Sequence, residues 1–353
     1  MKGQGYFSRV QAMTATRFWI NNVTRKEAEL AIAAGAEGCT QNPSYPWKML
    51  SSDDDGGLAH EMVEGLVSGI VDDDAVLVTL QRELVREIAR KFLALHESSG
   101  GKRGYVSVQG DPFHEDFDTI VRLARFNREA GKNIMVKIPA TEDGLKAMGT
   151  CLAEGMPINA TEIMSLRQAV DVCDIYDEVT LGMKNPPVVF LSHIAGIFDE
   201  YIAKTVKESG TDIPADHLYM AGFVMAQRIR AMMDERKSPV GFINGGARGL
   251  NHFTEWVGGN LCSTINWKGC ADKLLEQDPP VVSRFSNPVP AAVVESLLEL
   301  VPDFRKAWFK NGIQPSEYEK FGPVVLFRTS FENAWNQALG LVRARRAEMA
   351  ASK

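Results

Sequence analysis

One lysine stands where chemistry could follow from its position. In NIMVKIPATEDGL, residues 133–145, Lys137 is flanked by Ile134, Met135, Val136 and Ile138. A buried ammonium is costly unless it is paired or loses its proton. A lysine desolvated in this way has a depressed pKa, and its neutral amine can attack a ketone or aldehyde. The resulting protonated imine draws electrons from the neighbouring carbon, so adjacent C–C bonds can break or form. The residue types alone allow a second reading. Lys137 could instead reach out along apolar surface, or pair with Asp111 or Glu142.

The elements that must position this lysine are legible as alternating strands and helices. RFWINN, EGCTQNP, GYVSVQGD, NIMVKIPA, MPINATEIMS, PPVVFLSHIAG, SPVGFINGGARG and NLCSTINWKG read as eight strands, each followed by a helical pattern. They are apolar and β-branched, as parallel strands covered on both faces should be. Thr24 and Glu27 form a capping-box pair that starts a helix through Ala34, with Gly35 as its stop. The segment from Pro46 to His96 reads as helical, interrupted by Asp53–Asp55 and Asp72–Asp74, which fit turns and helix N-termini. No GxGxxG follows the first strand and no P-loop occurs. The expected fold class is α/β: a (β/α)8 TIM barrel with a C-terminal helical extension, one domain over 1–353. In that domain residues 270–353 form helices packed on the barrel, the last from about Ser330 onward.

In such a barrel the site lies at the C-terminal ends of the strands. The polar residues expected there are Asn21, Asn22, Thr40, Gln41, Asn42, Gln109, Asp111, Lys137, Asn159, Thr161, Ser192, His193, Asn244, Arg248, Asn266 and Trp267. Amides and hydroxyls around one lysine suit a polyhydroxylated carbonyl substrate, because they bond sugar hydroxyls without adding charge.

Bulk properties narrow the class. The chain has 353 residues, 45% hydrophobic and 24% charged, with a formal net charge of -6. That balance argues against a nucleic-acid partner. Five scattered cysteines without a CxxC suit a reducing compartment. No apolar run approaches a membrane span and the first residues lack a signal-type apolar core, so a cytoplasmic protein without a membrane partner is expected. The six histidines show no HxH or HxxxH spacing, which disfavours a metal, and no cofactor is expected. A homo-oligomer stays open.

VKIPATEDGLKAM followed by EGMPINATEIMSLRQA resembles the transaldolase family of Schiff-base enzymes, as do FWINNVTRKEAELAIAAGAEGCTQNPS, VVFLSHIAGIFDEY and GFINGGAR. The resemblance runs from about Arg17 to Asn266. It implies that Lys137 is the Schiff-base lysine, that Asn42 and Asn159 bind substrate hydroxyls, and that Thr161 helps hold a catalytic water. Ser192 would line the pocket, and Arg248 would bind a substrate phosphate. It also implies carbohydrate metabolism of the pentose phosphate type.

Four positions depart from the family pattern. Asn21 stands for an aspartate that handles the proton of the cleaved hydroxyl, and Gln109 for a glutamate, although the related fructose-6-phosphate aldolases share glutamine. Met164 stands for the tyrosine of those aldolases, and Ile197 for a second phosphate-binding arginine. Candidates for the missing acid and base are His193, Asp111 and Glu162. Strand alternation would turn Glu162 outward, Asp111 could cap a turn before Pro112, and His193 could be bonded to backbone. Three activities stay open: aldol cleavage or transfer, other imine chemistry (decarboxylation, dehydration, isomerisation), and a non-catalytic barrel that binds a sugar or a partner.

Overall fold

The computed structural model describes residues 5–351. Its parallel strands are β1 (Arg17–Asn21), β2 (Gly38–Gln41), β3 (Tyr105–Gln109), β4 (Ile134–Pro139), β5 (Ile158–Ile163), β6 (Val189–His193), β7 (Gly241–Asn244) and β8 (Cys262–Asn266). They close in sequence order, with β8 pairing back to β1, so no strand edge is left open. The expected (β/α)8 barrel is present, and helices lie between successive strands.

Local chemistry explains the element boundaries. Thr24 Oγ accepts from the Glu27 N–H while the Glu27 carboxylate accepts from the Thr24 N–H, the reciprocal box that starts helix Arg25–Ala33. The acidic stretch before His96 resolves into helices Tyr45–Leu50, Gly56–Gly69 and Asp73–Ser98. Asp72 caps the last of these, and buried Asp55 pairs with Arg25 at 2.7 Å. The C-terminal helix spans Gly322–Ala351 and therefore begins earlier than Ser330. Pro323 lies in its first turn, where the missing N–H has no helical partner to lose.

The barrel interior is filled below the polar residues. Trp19, Tyr105, Met135, Ile243 and Cys262 cluster there, with Phe190 and Val188 against them. Trp19 and Phe190 sit with ring centroids 5.2 Å apart. Gly38 and Gly241 make room for them: a Cβ would lie 2.4 Å from the Trp19 ring at Gly38 and 2.3 Å from the Phe190 ring at Gly241. Larger apolar clusters fill the layer between strands and helices. The five cysteines are free thiols. Among the described residues no helix is long and apolar enough to cross a membrane.

Candidate active site

Register places the first polar groups. Gln109 pairs with Lys137, and Lys137 with Asn159, so these three side chains share one rung and one face. On β4 the apolar neighbours Val136 and Ile138 pack outward, whereas Met135 joins the interior cluster. With period-2 alternation, Lys137 therefore points into the barrel mouth above Met135.

Lys137 is buried, with 6% of its surface exposed. Its Nζ donates to Asn42 Oδ1 at 2.5 Å and lies 5.9 Å from the centroid of the Phe331 ring. Burial pulls its pKa down from 10.5 to about 8, while the Glu162 and Glu115 carboxylates limit the fall. The two alternative partners are engaged elsewhere. Asp111 accepts from the Phe113 N–H at 2.9 Å and bonds His114 Nδ1 at 2.8 Å, and Glu142 lies 3.5 Å from Lys146.

The unexpected carboxylate comes from β5. Ala160 faces Leu191 but Ile163 faces His193, so the strand carries one extra residue at this point. Glu162 takes φ +63 there, a left-handed conformation uncommon outside glycine. Such bulges re-aim a side chain, and Glu162 is fully buried beside the inward-facing Gln109: its Oε1 accepts from Gln109 Nε2 at 3.1 Å. This corrects the outward orientation that simple alternation gives. The same Gln109 Nε2 donates to Glu115 Oε1 at 3.2 Å, so one amide bridges two carboxylates. Burial raises the Glu162 pKa to about 6, opposed by the Gln109 hydrogen bond and by the positive charges of Lys137 and Arg328. Burial, with the nearby Glu162 charge adding to it, raises Glu115 well above the carboxylate range. Gln109 Oε1, Glu115 Oε2, Thr161 Oγ1 and Glu162 Oε2 are buried without a hydrogen-bond partner.

His193 is not brought to this pocket. It pairs with Ile163 beyond the bulge and turns away from the interior. Its Nδ1 and Nε2 face the carbonyls of Ile163 and Gly222 at 2.9 and 3.0 Å, and burial lowers its pKa. With both ring nitrogens facing backbone carbonyls, it turns neither toward the barrel mouth. Asn244 is also structural, donating to the His252 carbonyl at 2.6 Å.

The remaining polar groups of the mouth are neutral and bonded to one another. Ser192 Oγ donates to Asn159 Oδ1 at 2.7 Å, and Asn159 Nδ2 donates to Ser107 Oγ at 3.2 Å. Thr40 Oγ1 donates to Asn21 Oδ1 at 2.9 Å and meets Thr264 Oγ1 at 2.9 Å, while Asn21 Nδ2 donates to Asn266 Oδ1 at 2.9 Å. Asn22, at φ +45, accepts from the Asn42 N–H at 2.8 Å and so sets the amide that meets Lys137. Asn21, Thr40, Asn42, Ser192, Thr264 and Asn266 border a cleft of about 510 Å³, counting its open mouth, with Lys137, Arg248 and Phe327 in its walls. Arg248 is half exposed, and its Nε donates to Glu200 Oε2 at 2.8 Å. Ile197 is buried in the apolar layer. Met164 is likewise buried, its N–H held by Gln168 Oε1 at 3.0 Å.

Sequence reasoning missed Ser107, Glu115, Thr264, Phe327 and Phe331. Ser107 and Thr264 were findable, because each lies two residues before an inward polar residue on its strand. Glu115 is on a loop, and the two phenylalanines arrive from a distant helix, so no local pattern marks them.

The family description Transaldolase/Fructose-6-phosphate aldolase matches residues 18–299. The chain belongs to this family. Among its relatives, Transaldolase 1 of Streptomyces coelicolor is 26% identical over 232 residues, covering 63% of this chain and 54% of that protein. The transaldolase of Saccharopolyspora erythraea is 35% identical over 168 residues, 45% of this chain and 44% of that one. That of Mycobacterium ulcerans is 32% identical over 167 residues, with the same coverage of 45% and 44%. The chain thus spans about half the length of the curated relatives it matches. Within this transaldolase-type barrel, Lys137 is the buried amine on β4.

Proposed function

We propose that this chain forms a Schiff base between Lys137 and a ketose or small hydroxy-carbonyl compound, and uses it for aldol cleavage or transfer. The observation that carries the reading is the Lys137 amine itself: buried in the barrel mouth, shifted to about 8, and bordering an amide-lined cleft. At neutral pH a useful fraction of such an amine is unprotonated. It adds to the substrate carbonyl, and loss of water gives the iminium. A base then removes the β-hydroxyl proton. The C–C bond electrons flow to the imine nitrogen, an aldehyde leaves, and an enamine stays on Lys137. Protonation of the enamine carbon and hydrolysis release the ketone fragment; addition to a second aldehyde gives transfer.

Asn42, Asn159 and Ser192 are the hydroxyl-binding groups of this scheme, and Thr161, with its unpartnered hydroxyl, would hold the water of hydrolysis. Arg248 is the one family phosphate arginine retained, and Glu200 already engages it. The second position is Ile197, so the bidentate recognition of a paired clamp is missing. The favoured substrate accordingly depends on hydroxyl contacts more than on a phosphate. Residues 270–353 belong to the same functional unit, because Phe327 and Phe331 reach the cleft from the C-terminal helix. A place in cytoplasmic sugar metabolism accords with this chemistry.

The test is borohydride reduction in the presence of ketoses, triose phosphates and small aldehydes, with intact mass as readout. A substrate-sized gain mapped to Lys137, and absent from Lys137→Ala, is the expected result. Well-folded protein that gains no mass with any carbonyl would overturn the reading.

A further inference from the structure

The Schiff-base reading leaves the proton unassigned, since Asn21 and Gln109, at the ends of β1 and β3, are amides. Asn21 is spent on Thr40 and Asn266, and an amide is no carboxylate base. His193 faces backbone on the far side of β6. Asp111 is tied to the turn before its helix.

Resting on the Lys137 reading, we propose that Glu162 is the acid–base group of this barrel, aimed by the β5 bulge and held by Gln109 against Glu115. Three geometric facts support it. The bulge adds one residue between Ala160 and Ile163 and keeps Glu162 in a left-handed conformation. That local strain is sustained at a position where it turns a carboxylate toward Gln109 and within electrostatic reach of Lys137. The Gln109 amide clasps both carboxylates, at 3.1 and 3.2 Å, and so fixes the orientation of Glu162. Each carboxylate keeps one buried oxygen, Oε2, without a partner, although an orphaned buried acceptor is costly. On Glu162 that oxygen is the site where a substrate hydroxyl or a water would bond.

The charged groups around Glu162 come from every neighbouring element. They are Lys137 on β4, Glu115 on the loop after β3, and Arg328 and Glu332 on the C-terminal helix; Glu319 also acts on Glu115. Two carboxylates sharing one amide do not ionise together readily. Burial raises both carboxylates, and in the proposed cycle Glu162 is the ionised member of the pair. In the cleavage step Glu162 takes the β-hydroxyl proton as the C–C bond breaks toward the iminium, and the aldehyde departs. The protonated Glu162 then returns that proton to the enamine carbon, or to the alkoxide formed when a new aldehyde adds. No oxidant, reductant or metal enters the balance.

The experiment uses the full chain with fructose and fructose 6-phosphate, and two readouts: the borohydride-trapped mass and the rate of aldehyde release. Glu162→Gln is expected to trap the same adduct on Lys137 as the parent protein, while aldehyde release falls by about 10²-fold or more. Unchanged release with a retained adduct overturns the assignment. Loss of the adduct from a variant with the parent Tm also overturns it, because Glu162 would then act before the imine. Absence of an adduct from the parent protein itself removes the Lys137 reading, and this one with it.

Gln109→Leu supplies an independent check through pH. The Gln109 N–H favours the Glu162 carboxylate, so its removal should move the acidic limb of aldehyde release to higher pH. A packing role alone would lower the rate without moving that limb. An unmoved limb counts against the proposal.

Discussion

The two sides of the barrel mouth are built on opposite principles. Around β1, β2 and β8, Asn21, Thr40, Thr264 and Asn266 form a neutral network with bonds near 2.9 Å. Around β3, β4 and β5 the groups are ionisable and buried, and several oxygens lack partners. A satisfied network fixes shape and can exchange its bonds with sugar hydroxyls at little net cost. The other side holds Lys137 and Glu162 away from their ordinary protonation, which is the condition acid–base and nucleophilic chemistry need. The β5 bulge and the C-terminal helix create much of this division.

The division can be broken most severely at Lys137. Lys137→Arg keeps a cation but no nucleophilic amine, so the borohydride adduct and all aldehyde release should vanish, read by intact mass. A trapped adduct on this variant would place the nucleophile elsewhere.

Stability should respond in the reverse sense. The folded pKa of Lys137 lies below its ordinary value, so the cost of burying the ammonium is fully present below about 8. It is relieved as pH rises from there toward 10.5. Lys137→Met should therefore stabilise the protein near pH 7 by up to about 3 kcal/mol, with the gain shrinking above pH 8. Urea unfolding at several pH values reads this. A variant less stable than the parent near neutral pH would show that Asn42 and the carboxylates outweigh desolvation.

The pH profile of kcat/KM sharpens the same contrast. If Glu162 is the base and Lys137 the nucleophile, the first must be ionised and the second neutral, so kcat/KM should rise through about 6 and again through about 8. Phe331→Ala, which opens the lysine to water, should move the upper rise toward 10.5 by up to about one unit, roughly tenfold in neutral amine at fixed pH.

The smallest effect belongs to the neutral side. Thr264→Val deletes the bond to Thr40 and should cost about 1 kcal/mol, seen as a modest fall in Tm. Its effect on reaction should lie mainly in KM, since Thr264 borders the cleft without touching the lysine. A large fall in kcat with KM unchanged would erase the distinction between the two sides.

Much of this was legible in residues taken locally. The eight strands announce themselves by apolar β-branched runs, and the Thr24–Glu27 cap by its spacing. Lys137 stands out because a charge inside IMVKIP opposes its neighbours. Asn42, Asn159, Ser192 and Arg248 were placed at strand ends by the barrel topology, and the structure brings them to the same mouth. His193 follows Ser192 at a strand end, yet alternation on β6 turns one inward and the other out. For Glu162 the same period-2 rule fails, because a bulge inserts a residue and no motif in NATEIMS signals it.

The sequence by itself therefore determined the barrel, the lysine-bearing strand and most of the amide lining. These follow from short-range patterns: hydrophobic period, capping chemistry and the strand-end rule. Tertiary structure alone decided which carboxylates face the lysine, which arginine is already paired, and what roofs the pocket. Glu162 is turned inward by pairing with β6, Glu115 is drawn in through Gln109, and Phe331 comes from a helix remote in sequence. Each depends on contacts between segments far apart in the chain, where local propensity carries no information about geometry or about the desolvation that sets a pKa.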